Sequence, residues 1–328
     1  MYSQFFGNYL LSKQAVTTDQ LVHAIQEQHT KHLRLGTLAM HAGLLTALQV
    51  DNVVIRQTHE DRLFGEIAIE EGLLTEEQVE ELLNTQTPDY LLIGQTLVDD
   101  GVFTNTDLDK YIKSYQKENE ISQLESDKEQ QENLDALVRN LFLITLENVP
   151  EYVLQYLNLL FNNLLRFIGE DFTPLNPSIV SEFVTGRCSS QVVKGDFQLT
   201  SYFDMTEDAA VAFASRYVND SFTEYDEYVQ ASVEDFLNLH NGLFNVNISN
   251  NNSEVSLQLD PPVSMDNTMI SCSTETILLP IIYPFGIINL LISISESENS
   301  VLPETKNLNS LESLNNLEAL MNDLEKMS

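Results

Sequence analysis

Basic residues are scarce in this chain of 328 residues, with 16 Lys and Arg against 50 Asp and Glu and a formal charge of −34. That balance argues against nucleic acid or an anionic membrane as a partner, because both require a basic face. Cysteine is scarcer still. Cys188 and Cys272 make neither a disulfide framework nor a metal-ligand spacing, and a reducing cytoplasm is the simple reading. The opening stretch MYSQFFGNYLL has no basic n-region and no long apolar run, so no signal peptide is expected. Membrane insertion is not expected either. The longest apolar stretch, 277–292, is interrupted by Pro280 and by Pro284-Phe285-Gly286, which read as turn residues between β-rich segments. A Gly-rich nucleotide loop and a Ser-His or Cys-His arrangement are also missing. His23, His29 and His32 lie near one another, but no Cys or carboxylate completes a metal site, so no metal is expected there.

What is present begins with a repeat. Gly7, Gly36, Gly65 and Gly94 stand 29 residues apart, and Gly43, Gly72 and Gly101 keep the same step, with Gln14 in the corresponding place of the first copy. Thr17, Thr46, Thr75 and Thr104 follow in phase. Four copies without an insertion mark a stacked array of small units. Within each copy the first glycine should precede a short helix, and the second suits a left-handed position ending it. The threonine should cap a longer helix, with Gln20, Gln49 and Gln78 three residues on completing a capping box and Asp107 replacing Gln in the last copy.

The array, residues 1–116, resembles the MshEN-type domains at the N-termini of type II secretion and pilus ATPases. The residues carrying the resemblance are Arg34, Leu35, Gly36, Gly43, Leu44 and Gln57. In that family such motifs bind cyclic di-GMP, so the resemblance implies these six as a dinucleotide site, with cyclic di-GMP a regulator. The other copies have Phe5, Leu63 and Leu92 in place of the Arg. A dianionic ligand needs guanidinium or backbone N–H donors. One Arg in a strongly acidic chain favours the plainer reading, a docking module.

Residues 117–133, KENEISQLESDKEQQEN, lack Gly and Pro and read as a charged spacer between domains. A second domain, 134–297, follows. Pro150 fits the first position of a helix running to about Ile168, and Thr206–Val218 reads as an amphipathic helix. Gly195–Asp204, Phe244–Ser249, Val255–Leu259, Ile270–Ile282 and Ile287–Ile294 read as strand-like. Residues 298–328 carry leucines at spacings of three to four, an amphipathic helix for its own domain, a dimer mate or another protein.

Residues 226–243 read as a helix with Val229, Val233, Phe236, His240 and Leu243 on one apolar stripe. Ala231, Asp235, Asn238 and Gly242 share a different face. A carboxylate and a carboxamide one turn apart can clamp a lysine, bind an anionic oxygen and orient a water. This pattern, with the order of elements around it and the segment Leu259–Val263, resembles the CheX/CheC family of chemotaxis phosphatases. These remove phosphate from the aspartate of CheY-type receivers with Asp/Ser-x3-Glu-x2-Asn and a Gly four residues later. Asn238 and Gly242 match, Asp235 stands in place of Glu, and Ala231 in place of Asp or Ser. Glu151, Gln155 and Asn158 repeat the spacing but without the Glu.

The resemblances imply two domains: an all-α tandem repeat, then an α+β CheX-like domain with a mostly antiparallel sheet packed against helices. They imply a phospho-aspartate phosphatase with Asp235 and Asn238 as catalytic residues, a phosphorylated receiver as partner, and Mg2+ supplied by that receiver, no cofactor being required by the chain itself. The alternative is a non-catalytic adaptor that binds a receiver, cyclic di-GMP or both.

Overall fold

The structure, a computed structural model, describes residues 2–28, 31–85, 90–118, 138–139, 141, 149–251 and 256–295. The expected spacer and the C-terminal amphipathic segment lie outside these residues, apart from Lys117 and Glu118. The chain divides into two compact units, Tyr2–Gln123 and Leu124–Ser328.

The regular secondary structure among the first unit's described residues is all helical. Short and long helices alternate: α1 (Phe6–Ser12), α2 (Thr18–Glu27), α3 (Leu35–His41), α4 (Ala47–Gln57), α5 (Phe64–Glu70), α6 (Glu76–Asn84), α7 (Tyr90–Asp99) and α8 (Asn105–Glu118). Thr17, Thr46 and Thr75 each close a full capping box with the glutamine three residues on. Thr104 and Asp107 do the same in the last copy, the Asp107 carboxylate accepting from Thr104 N at 3.0 Å and the Thr104 hydroxyl accepting from Asp107 N at 3.1 Å.

The two sets of glycines have different tasks. Gly43, Gly72 and Gly101 end α3, α5 and α7 at φ of +70°, +69° and +70°. Gln14 holds the equivalent place at φ +54°, so the first copy keeps the turn without its glycine. The other set lies inside the short helices, Gly7, Gly36 and Gly65 one residue after the start and Gly94 four residues after it, rather than ahead of them as expected. There a missing Cβ lets the long helix of the same copy come close. A methyl on Gly36 would sit 2.9 Å from Val50 Cγ1, and one on Gly94 only 2.3 Å from Leu108 Cδ1.

The second unit opens with α9 (Glu151–Phe167), for which Pro150 is the cap and not the first helical residue. Four strands follow: β1 (Thr173–Pro174), β2 (Ser178–Val184), β3 (Arg187–Gly195) and β4 (Gln198–Met205). Helices α10 (Glu207–Val218) and α11 (Glu227–Asn251) come next, then β5 (Leu257–Leu259), β6 (Val263–Asp266), β7 (Met269–Tyr283) and β8 (Gly286–Ser295). All the strands join one antiparallel sheet in the order β1-β7-β8-β4-β3-β5, with β2 also on β7 and β6 also on β3. Helix α11 packs on β3, α9 and α10. Phe203, Phe213 and Phe236 make the aromatic centre of that packing, with ring centroids 5.1 to 5.6 Å apart.

Two expectations need correction. Phe244–Ser249 is not a strand but the continuation of α11. Phe244 and Ile248 are four apart, a spacing that fits a period of two and a helical turn equally well. Both are buried in line with Val233 and Leu237, whereas Leu243 is 40% exposed and leaves the stripe. Pro280 is not a turn residue but stands within β7. Its carbonyl accepts from Leu175 N at 2.9 Å, so its imino side also faces the gap between β1 and β2 and removes no bond from the β7–β8 ladder.

The glycine positions yield a prediction for the repeat unit. Gly72→Ala meets no atom within 4 Å, so its cost is the left-handed backbone alone, about 1–2 kcal/mol. Gly72→Asn should recover most of that. Gly94→Ala keeps a helical backbone but collides with Leu108, and Asn there should be worse than Ala. Urea unfolding of the four proteins tests the distinction, and equal losses at both positions would refute it.

Candidate functional site

Helix α11 starts where Asp226 accepts hydrogen bonds from Tyr228 N (3.0 Å) and Val229 N (2.9 Å), an N-cap. From there one face is committed to the core. Val229, Phe236, His240, Asn241 and Phe244 are fully buried. The opposite face presents Ala231, Asp235 and Asn238 to solvent, with Gly242 half-buried behind them. The carboxylate and the carboxamide therefore lie one turn apart on an exposed face whose backbone is anchored from below.

Each of the two is held by a neighbouring element. Tyr217, on α10, donates its hydroxyl to Asp235 Oδ2 at 2.7 Å. The ring is braced edge-on against Phe236, with centroids 5.5 Å apart. Burial first, and then the adjacent Asp235 carboxylate, push the tyrosine pKa up, so the phenol stays a donor. Asn238 Oδ1 accepts from Gln191 Nε2 at 2.7 Å. The same nitrogen donates to the Asp260 carbonyl at 2.8 Å. Behind Gln191, Asn241 Nδ2 donates to Gln191 Oε1 (2.8 Å) and to Ser201 Oγ (3.1 Å). Tyr156 on α9 donates to Asn241 Oδ1 at 2.9 Å.

A third carboxylate flanks the pair. Glu234 is half-buried and one turn from Asn238 on the side of β6, where it accepts from Ser264 Oγ and from Gln230 Nε2. Asn238 thus sits between two acidic groups, one tied to α10 and the other to β6. Gln191, Tyr217, Asn241 and Glu234 were not singled out from the sequence. The signal for Gln191 is its register opposite Ser201 on the core-facing side of the β3–β4 ladder, which needs β3 to be recognised as a strand first. Glu151, Gln155 and Asn158 lie half-buried on α9, and Glu151 pairs with Arg139 instead of facing an open surface.

In the repeat unit, the residues suggested for a dinucleotide have internal occupations. Arg34 pairs with Asp99 at 2.8 Å. Its backbone N–H donates to Gln95 Oε1 at 2.7 Å, while Gln95 Nε2 donates to the His32 carbonyl. Gly36 is buried beneath Val50, and Leu35 would stand 3.2 Å from a Cβ on Gly65. Gly43 forms the left-handed turn, Leu44 is 37% exposed, and Gln57 Nε2 donates to the Arg62 carbonyl at 3.0 Å. Arg56 pairs with Glu60, Glu70 and Glu71, and Arg62 with Glu60, Glu66 and Glu70. Among the described residues no group of His, Cys, Asp and Glu could hold a metal, and no helix is long and apolar enough to cross a membrane.

No protein-family model and no curated protein matches the chain. Solved structures do show similarities. The chemotaxis protein CheX from Vibrio vulnificus is 16% identical, with a TM-score of 0.39, over 44% of this chain and 99% of its own. CheX in the CheX–CheY–BeF3–Mg2+ complex from Borrelia burgdorferi is 18% identical, with a TM-score of 0.40, over 45% and 100%. A CheC-like superfamily protein from a Shewanella species is 14% identical, with a TM-score of 0.39, over 44% and 97%.

The polar core under the site makes its stability depend on pH. His240 is fully buried, with Nδ1 3.0 Å from Asn163 Nδ2 and its ring 4.3 Å from that of Tyr156. Burial pulls its pKa from 6.5 down to about 3. The unfolded chain therefore binds a proton below pH 6.5 that the folded chain refuses until about pH 3. The contribution is complete above that window and is lost as pH falls through it, by about 1.4 kcal/mol per pH unit. His240→Gln should have a shallower decline in urea-derived stability between pH 7 and pH 5 than the wild type, by about 2 kcal/mol. Parallel declines would show that His240 titrates normally.

Proposed function

We propose that the second unit removes phosphate from the phospho-aspartate of a CheY-type receiver domain. The observation that carries this reading is the exposed Asp235–Asn238 pair on a face of α11 whose underside is packed and hydrogen-bonded. Exposed amides and carboxylates on acidic proteins are usually free to wander, whereas these two are each held by a partner from another element. Preorganisation of that kind serves a reaction that depends on orientation.

In the proposed reaction Asn238 enters the receiver's active site and holds a water in line with the acyl phosphate. The water oxygen bonds to phosphorus and the P–O bond to the aspartyl carboxylate breaks. Inorganic phosphate and a free carboxylate result, and the water proton passes to the phosphate. Asp235 pairs with the receiver's lysine and keeps the two proteins in register. The receiver's own Mg2+ offsets charge on the phosphoryl oxygens. This chain supplies geometry.

A second reading, a receiver-binding adaptor without turnover, has its own observation. Asp235 is one methylene shorter than the family's Glu, and Tyr217 draws its carboxylate toward α10. A displacement of about 1 Å can lower a rate about a hundredfold. For the repeat unit we propose docking to a protein, because Arg34, Arg56 and Arg62 already face internal carboxylates and a dianion would have to displace them.

Phosphate release from a CheY-type receiver charged with acetyl phosphate tests the first reading. Asn238→Ala should abolish the acceleration and cost no more than about 1–3 kcal/mol of stability, because it leaves one buried Gln191 N–H without its acceptor. Asp235→Ala should weaken receiver binding more than it slows the bound step, and Asp235→Glu should keep or raise activity. Binding without turnover in the wild type, with turnover gained by Asp235→Glu and Ala231→Ser together, would establish the adaptor instead. For the repeat unit, titration with cyclic di-GMP should give no saturable heat in either wild type or Arg34→Ala. Tight binding lost in the variant would overturn the docking assignment.

A further inference from the structure

The amides beneath the site can point in only one set of directions, and a backbone atom fixes it. The Asp260 carbonyl accepts and cannot donate. The end of Gln191 that lies 2.8 Å from it must therefore be the NH2 group. That nitrogen also lies 2.7 Å from the side chain of Asn238, which must offer its oxygen there. The other end of Gln191 is then its oxygen, and the Asn241 atom 2.8 Å away must be nitrogen. Asn241 turns its remaining oxygen to Tyr156, whose hydroxyl donates at 2.9 Å. Gln191 and Asn241 are nearly inaccessible, at 1% and 0%, so water does not compete for these bonds.

We propose that Gln191 is a positioning residue for Asn238. It locks the carboxamide with oxygen inward and NH2 outward, so that the site offers the receiver two N–H donors aimed at an electron-rich oxygen. The kinetic part of this inference rests on the phosphatase reading, while the orientation of the amide does not. In a free asparagine the two ends exchange by rotation, and half the encounters would present a carbonyl to the phosphoryl group. With Gln191 in place that arrangement is excluded before the receiver arrives. The remaining lone pair on Asn238 Oδ1 is still able to accept from a water. Tyr217 performs the matching task for Asp235, fixing Oδ2 and leaving Oδ1 to meet a cation.

Two measurements on the full chain test this. The first is the water exchange of side-chain NH2 protons by NMR, with Gln191 assigned through the backbone and Asn238 by the loss of its signal in Asn238→Asp. The Gln191 pair should exchange at least about tenfold more slowly than the Asn238 pair, since both of its protons are bonded in the interior. An Asn238 pair as protected as that of Gln191 means the amide is reversed or shared, and overturns the proposal without need of any variant. The second is phosphate release from the acetyl-phosphate-charged receiver. Gln191→Met should lower kcat about 10- to 100-fold and leave KM for the receiver unchanged. Gln191→Glu should not rescue it despite its equal size, because a carboxylate cannot donate to either oxygen. A raised KM with kcat intact in both variants would give Gln191 a structural role only and overturn the positioning claim. A wild type that shows the expected exchange pattern but releases no phosphate supports the locked amide and removes the phosphatase reading.

Discussion

An acceptor with no hydrogen to give, the Asp260 carbonyl oxygen, terminates a line of hydrogen bonds that runs from α9 through α11 and into the sheet. Its position follows from the chain around it. Pro261 forces Asp260 into an extended conformation, and the Pro261-Pro262 pair separates β5 from β6. Both short strands pair with β3, one against residues 193–195 and the other against 187–190, so Gln191 and Val192 face the gap. Asp260 fills it, its N–H donating to the Val192 carbonyl at 3.0 Å and its own carbonyl taking Gln191. Four polar side chains, those of Tyr156, Asn241, Ser201 and Gln191, can then be sealed under a helix without an unmatched amide in the line. Leaving one such group buried and unpaired would cost about 1–3 kcal/mol.

Charge in the repeat unit is organised on a related principle, at the surface. A chain with this excess of carboxylates could be expected to leave its few cations to outside partners. Instead Arg56 and Arg62 are shared among Glu60, Glu66, Glu70 and Glu71, drawing the end of one copy onto the start of the next. Hydrogen bonds that Arg56 donates to Glu60, Glu71 and Glu70 raise its pKa, and those that Glu60 accepts from Arg56 and Arg62 lower the pKa of Glu60. These exposed pairs add little energy one by one, but as a network they fix the relation of neighbouring copies.

Much of this was legible in the sequence where the chemistry is local. The left-handed turns and the capping boxes depend on single residues at fixed offsets, and the structure has them at Gly43, Gly72, Gly101, Thr17, Thr46 and Thr75. Exposure of Asp235 and Asn238 over buried Val233 and Phe236 follows from helical periodicity alone. What was not legible depends on contacts between distant segments. Gln191 meets Asn238 across 47 positions of chain and Tyr156 meets Asn241 across 85, and neither pairing leaves a trace in spacing. Phe244–Ser249 misled because a spacing of four satisfies both periods. Pro280 misled because what decides its fit in a strand is which neighbour its nitrogen faces, a property of the sheet order and not of the residue.

The prolines have one more effect, on what the sheet can recruit. One outer row is divided into β1 and β2, beside Pro174, Pro177 and Pro280, and the other into β5 and β6 by Pro261-Pro262. Neither flank offers a long straight ladder of free amides and carbonyls for a foreign strand to zip along. A protein whose central strands are as rich in Ile and Leu as β7 and β8 would otherwise be prone to edge-to-edge aggregation, and the broken flanks keep that hazard enclosed within the fold.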